Sequence, residues 1–139
     1  RVKRAFYTAE GALEEAYIIS AYFIESGVEY AESRGCSKTA YLDFLLGKCT
    51  DLEDHKSLVN TLKDKNSYVI YKDANTIIDA KLVNLTDHYN LEITSLCIDD
   101  KIEKKLKLIC RISVPGDNFS PGSVNADVLF HADDWISER

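Results

Sequence analysis

Apolar and polar positions divide the chain into a helical part and a strand-forming part. From Arg4 to Ser33 there is no proline and only two glycines. At 100° per residue, Phe6, Leu13, Tyr17, Ser20, Ile24, Val28 and Ala31 fall within about 40° of one line, which predicts a long spine helix over residues 1–34 with that stripe facing a core. A helix from about Lys3 to Glu32 is roughly 45 Å long, more than a small domain covers. The opposite sector carries Glu14, Glu15, Glu25, Glu29 and Glu32, but also Tyr7, Ile18, Ala21 and Tyr22. The run Ala16 to Ile24, AYIISAYFI, has no charge at any angle, and a helix apolar all round is covered all round. Either a loop of the same domain or a partner helix must cover its back. Tyr7, Ile18 and Tyr22 are therefore the candidate assembly interface.

The helical period stops at Arg34-Gly35, where glycine suits a left-handed helix end. Residues 35–66 read as a helical and loop connection. Tyr41 to Leu46 forms a short helix, and Thr50-Asp51 with Glu53 starts another through His55, Leu58, Val59 and Leu62 to about Lys65. From Ser67 the period becomes two, with β-branched and aromatic residues. Ser67–Tyr71, Thr76–Leu85, Tyr89–Ile98, Lys105–Val114 and Asp127–His131 read as strands. Their short connections imply an antiparallel meander. In the fourth of these, Leu106, Leu108, Cys110, Ile112 and Val114 alternate with Lys105, Lys107, Arg111 and Ser113, although Ile109 interrupts the polar side. The expected fold is a single α+β domain, residues 1–139. A long N-terminal helix packs on an antiparallel β-sheet region, residues 67–139, with short helices between.

Composition supports one conventional core. The chain has 139 residues, 45% hydrophobic and 29% charged, which excludes a disordered tail, a coiled coil and a collagen-like rod. Seventeen basic against twenty-three acidic residues give a net charge of -6. That field repels phosphate, so nucleic acid is not expected as the primary partner. No stretch approaches eighteen consecutive apolar residues, and the chain opens with Arg1, Lys3 and Arg4 rather than a signal peptide. As given, it is expected to be soluble and, in isolation, monomeric.

Cys36 and Cys49 are separated by twelve residues, as are Cys97 and Cys110, and there is no CxxC. Four thiols allow three pairings, and four free buried thiols are the alternative. The equal short spacings favour two local disulfides, Cys36–Cys49 and Cys97–Cys110, formed in an oxidising compartment.

Enzyme signatures fail one by one: HExxH, GxSxG and GxGxxG are absent. Gly47-Lys48-Cys49-Thr50 approaches a phosphate loop, but Leu42 stands where the upstream glycine belongs. His55, His88 and His131 are far apart in sequence, and a lone histidine is more often structural than catalytic. Asp99, Asp100 and Glu103, and His131, Asp133 and Asp134, lack the glycine-punctuated spacing of a calcium loop and read as solvated charge. No catalytic, metal or cofactor-binding residue is expected. Pro115 to Asn125, PGDNFSPGSVN, is an irregular surface loop in which Asp117, Asn118 and Phe119 are the candidate ligand-contacting residues.

The segment RAFYTAEGALEEA, Arg4 to Ala16, resembles the part of the N-terminal helix that follows the membrane-spanning segment in type IV pilins, especially minor pilins and pseudopilins with an AFYxAExGxxxA pattern. Ala5, Phe6, Tyr7, Ala9, Glu10 and Ala16 stand in that pattern, and Gly11-Ala12 inverts the usual order. Tyr89 to Val114, with its Ile93-Thr94-Ser95 element, is similar to a hairpin of pilin-like domains, although Leu96-Cys97 replace the usual glycine-containing turn. Together the two segments cover roughly a third of the chain. The resemblance implies a structural subunit of a type IV pilus or related filament at the bacterial cell surface. It also implies a leader and an apolar helical segment upstream, which anchor the precursor in the cytoplasmic membrane. Its expected partners are other pilin subunits, met through the N-terminal helix. An adhesin-like tip module, or a pseudopilin of a secretion or DNA-uptake system, is the alternative.

Overall fold

The computed structural model describes residues 2–64 and 74–138. Helix α1 spans Val2–Glu32, followed by α2 (Lys38–Leu46), α3 (Leu58–Lys63), strand β1 (Ala74–Asn84), β2 (His88–Asp99), β3 (Ile102–Ser113), α4 (Ala126–Leu129) and β4 (Phe130–Glu138). The four strands form one antiparallel sheet in the order β1-β2-β3-β4. The architecture is α+β, with the long helix laid on one face of the sheet. The expected strand Ser67–Tyr71 lies outside the described residues.

Alternation in β2 and β3 decides which face meets α1. Leu91, Ile93, Ser95 and Cys97 of β2 and Leu106, Leu108, Cys110 and Ile112 of β3 are buried, and the residues alternating with them are partly exposed. Against them α1 buries Leu13, Ser20, Ile24, Val28 and Ala31, as the helical stripe predicts. The centre of that stripe is rotated toward small residues. Ala5, Ala9, Ala12 and Ala16 are fully buried, while Phe6 and Tyr17 flank the contact. Alanine lets the helix backbone approach the sheet closely, and the larger rings then seal the sides. Thr8 and Ser20, also buried on this face, return their hydroxyl protons to the carbonyls of Arg4 and Ala16 one turn earlier.

The connection covers part of the back of α1. Ser37 caps α2 by accepting the Ala40 N–H, and Gly47 ends it in the left-handed region at φ 71°. A Cβ at Gly27 would stand 3.1 Å from Phe44 Cδ1, so glycine there permits α2 to close on α1. Phe23, Phe44 and His55 form an aromatic cluster, with the His55 and Phe44 rings 4.2 Å apart and His55 Nε2 2.8 Å from the Phe44 carbonyl oxygen. The helix expected from Thr50-Asp51 does not start there. Asp54 has φ 55°, outside helical geometry, and Ser57 instead caps α3 by accepting the Asn60 N–H.

The strand expected over Asp127–His131 is also revised. Asn125 caps the short helix α4, and the edge strand β4 begins only at Phe130. A bulge opposite Ile109 and Cys110 interrupts its pairing with β3.

The disulfide expectation does not hold for the hairpin. Cys97 lies opposite Lys104 and Cys110 opposite Leu91. Six ladder positions therefore separate the two cysteines, roughly 20 Å at the rise of a strand, against the 4.4 to 6.8 Å between Cα atoms that a bridge usually spans. All four cysteines, Cys36 and Cys49 included, are buried thiols in the structure. Burial pushes the Cys110 thiol up to about 12, and the Cys97 thiol is raised for the same first reason.

Candidate assembly surface

Once α1 is seated on the sheet and flanked by α2, one line of it remains open. Tyr7, Glu14, Ile18 and Tyr22 recur at helical spacing and are exposed, with Tyr7 at 53%, Ile18 at 54% and Tyr22 at 73%. These are the three hydrophobic residues expected at an assembly interface. The remainder of the uncharged run behaves differently: Phe23 joins the aromatic cluster, and Ala16, Ser20 and Ile24 are core.

The open line borders a groove whose other wall comes from the end of the chain. In the ladder, Trp135 pairs with Leu108 and Ala132 with Cys110, so both lie on the helix side of the sheet. Beside rather than beneath α1, Trp135 keeps 49% of its surface exposed. Glu14, Tyr17, Ile18, Ala132 and Trp135 line a cavity of about 290 Å³. Next to it, Tyr17, Ile18, Ala21, Tyr22, Glu25 and Ala126 line another of about 320 Å³. Toward the start of the helix, Phe6, Glu10 and Trp135 border a third of about 220 Å³. Tyr17 is shared by the first two cavities; it stacks on Phe130 at 4.8 Å, and burial, then Cys110 and Asp127, raises its phenol pKa. The chemistry of the groove is apolar contact edged by carboxylates.

Trp135, Ala132 and Ala126 had no place in the sequence reading of this surface. The bulge in β4 breaks the period-two pattern between Ala132 and Trp135, and the intervening Asp133-Asp134 pair masks an inward-facing alternation. The one available signal was a tryptophan within an otherwise acidic run.

The candidate ligand loop is held against the domain. The Gly122 N–H donates to Glu32 at 2.7 Å, and the Ala126 N–H donates to Glu25 at 2.7 Å. These two glutamates therefore bind backbone instead of being only solvated. Phe119 is partly buried and packs against the core, leaving Asp117 and Asn118 as the exposed members of the trio. The loop residues do not line the groove cavities described above.

The acidic turn also differs from its expected role. Asp99 is buried and receives two hydrogen bonds from the Arg4 guanidinium. His55, His88 and His131 each make local contacts, to the Phe44 carbonyl, Asp87 and the Val128 carbonyl. Among the described residues, no group of three or more His, Cys, Asp or Glu side chains is placed to hold a metal ion. Among them, too, no helix is long and apolar enough to cross a membrane. Neither protein-family models, curated proteins nor solved structures provide a match to this chain.

Proposed function

We propose that this chain is the globular part of a pilin-like subunit, a minor pilin of a type IV pilus or related filament, which assembles through α1. The observation that carries this reading is the division of one helix into two apolar faces. Leu13, Ile24 and the buried alanines stabilise the domain, whereas Tyr7, Ile18 and Tyr22 present apolar surface outward. Hydrophobic residues aligned on the open side of a 31-residue helix give a neighbouring subunit something to bury. An upstream apolar segment, implied by the resemblance of residues 4–16, would hold the precursor in the cytoplasmic membrane until the subunit is extracted into the filament. The sheet would then lie outside the helical bundle, at the bacterial cell surface.

The test is Ile18→Asp in the full-length precursor, returned to its native host and scored for incorporation into filaments. Incorporation is expected to fail, because a carboxylate without a partner would enter a helix contact. Normal incorporation of a stably expressed Ile18→Asp subunit would refute the assignment of this face.

A further inference from the structure

We infer that the groove between α1 and β4 receives a basic amphipathic helix from a different protein, and not a second copy of this chain. The inference rests on the reading of α1 as an assembly surface and names its partner by charge. Between Arg4 and Arg34 the helix has no lysine or arginine, but it carries Glu10, Glu14, Glu15, Glu25, Glu29 and Glu32. Glu10, Glu14 and Glu25 border the three cavities, and Asp127 adds negative charge near Tyr17 on the opposite wall. The arginines at the helix ends are engaged, Arg4 with Asp99 and Arg34 with Asp51. Lys104 stands over the Phe6 ring at the N-terminal end of the groove, 5.7 Å from its centroid, and Glu25 accepts the Ala126 N–H, so Glu10 and Glu14 are the groove carboxylates to be matched from outside.

This distribution discriminates between occupants. Two copies of α1 packed through the open faces of residues 5–33, parallel or antiparallel, would bring carboxylates together with no cation from the facing helical segment. Like-charge juxtaposition of this kind suppresses a wrong partner even where the apolar surfaces fit. The shorter helices provide no substitute, since α2 has one lysine and α3 has one lysine, each near an end. A helix with an alanine- and leucine-rich stripe flanked by lysine or arginine would satisfy both requirements. Its stripe would cover Ile18, Tyr22 and Trp135, and its cations would meet Glu10 and Glu14.

Trp135 is the only tryptophan in the chain and lies in the groove, so its emission reports occupancy directly. Two synthetic helical peptides would be titrated into the chain, with the same leucine and alanine stripe but flanking lysines in one and glutamates in the other. The lysine peptide is expected to shift Trp135 emission to the blue saturably, to bind at least about 10-fold more tightly than the glutamate peptide, and to lose that advantage in high salt. Glu14→Lys, at an exposed position, should reduce the preference, while circular dichroism checks that this variant is folded. Equal affinities, or no saturable response to the lysine peptide, would overturn the inference. So would concentration-dependent dimerisation of the chain that Ile18→Asp abolishes, because the occupant would then be a second copy. Each of these failures leaves the filament assay as a separate test of the assembly reading.

Discussion

Arg4 in the first turns of α1 and Asp99 at the end of β2, ninety-five residues apart, form a two-pronged ion pair that leaves the Asp99 side chain only 1% exposed. The pair fixes the start of the helix to one end of the sheet, while the alanine contact determines how closely they lie. Arg4→Ala would leave a buried carboxylate without its guanidinium. It should lower stability by about 2 to 3 kcal/mol, less than the usual cost for a fully buried pair because Arg4 itself reaches water. Urea unfolding measures the loss; Asp99→Asn, which removes the charge that needs compensation, should cost less than Arg4→Ala.

The two faces of α1 should respond oppositely to substitution in the isolated chain. Leu13→Ala or Ile24→Ala, each fully buried, should destabilise the fold by about 2 to 5 kcal/mol. Ile18→Asp should change the thermal midpoint little, because its side chain already faces water. A large drop for Ile18→Asp would place that residue in the monomer core.

Buried thiols make stability sensitive to alkali. The Cys110 thiol is raised from an ordinary value of 9.0 to about 12, so the native state retains the proton longer than the unfolded chain. Its contribution is complete below about pH 9 and is lost as pH rises toward 12. Burial also raises the Tyr41 phenol, in the same direction. Cys110→Val should therefore flatten part of the loss in urea stability over this interval. In native protein at pH 8, iodoacetamide should leave Cys97 and Cys110 unmodified, and non-reducing peptide mapping should find no link between them.

Glu25 and Glu32 should control the order of the loop before β4. Glu25→Ala removes the acceptor for the Ala126 N–H, and Glu32→Ala that for the Gly122 N–H. Each should cost about 1 kcal/mol or less and accelerate hydrogen exchange at its own former amide donor. Unchanged exchange at both amides would mean that the carboxylates do not hold this segment.

The long elements were legible because their patterns run unbroken. The alanine- and glutamate-rich spine and the alternation through β2 and β3 determine both periodicity and direction of burial. Punctuation was less legible: Asp51 and Ser57 both resemble helix caps, but only the latter has helical geometry after it, since Asp54 turns the chain away. The cysteine spacing misled for a geometric reason. In a hairpin turning at Asp100-Lys101, only residues equidistant from that turn face one another, and Cys110 lies farther from it than Cys97. Asp99 looked solvated because its partner lies ninety-five residues earlier. In the groove, Tyr7, Ile18 and Tyr22 could be read from helical angle, whereas Trp135 was hidden by a bulge that shifts its face.

That bulge also governs how an incoming strand can meet this edge of the sheet. A regular edge strand templates another strand through its free backbone groups, and a crowded apolar surface nearby would favour such encounters. In β4 the backbone is kinked opposite Ile109 and Cys110, and Asp133 and Asp134 stand exposed beside the kink. An incoming strand would meet a broken hydrogen-bond register and two negative charges before its ladder could extend. At this edge the apolar groove is thereby set apart from strand addition, and a partner can bury side chains against it without extending the sheet.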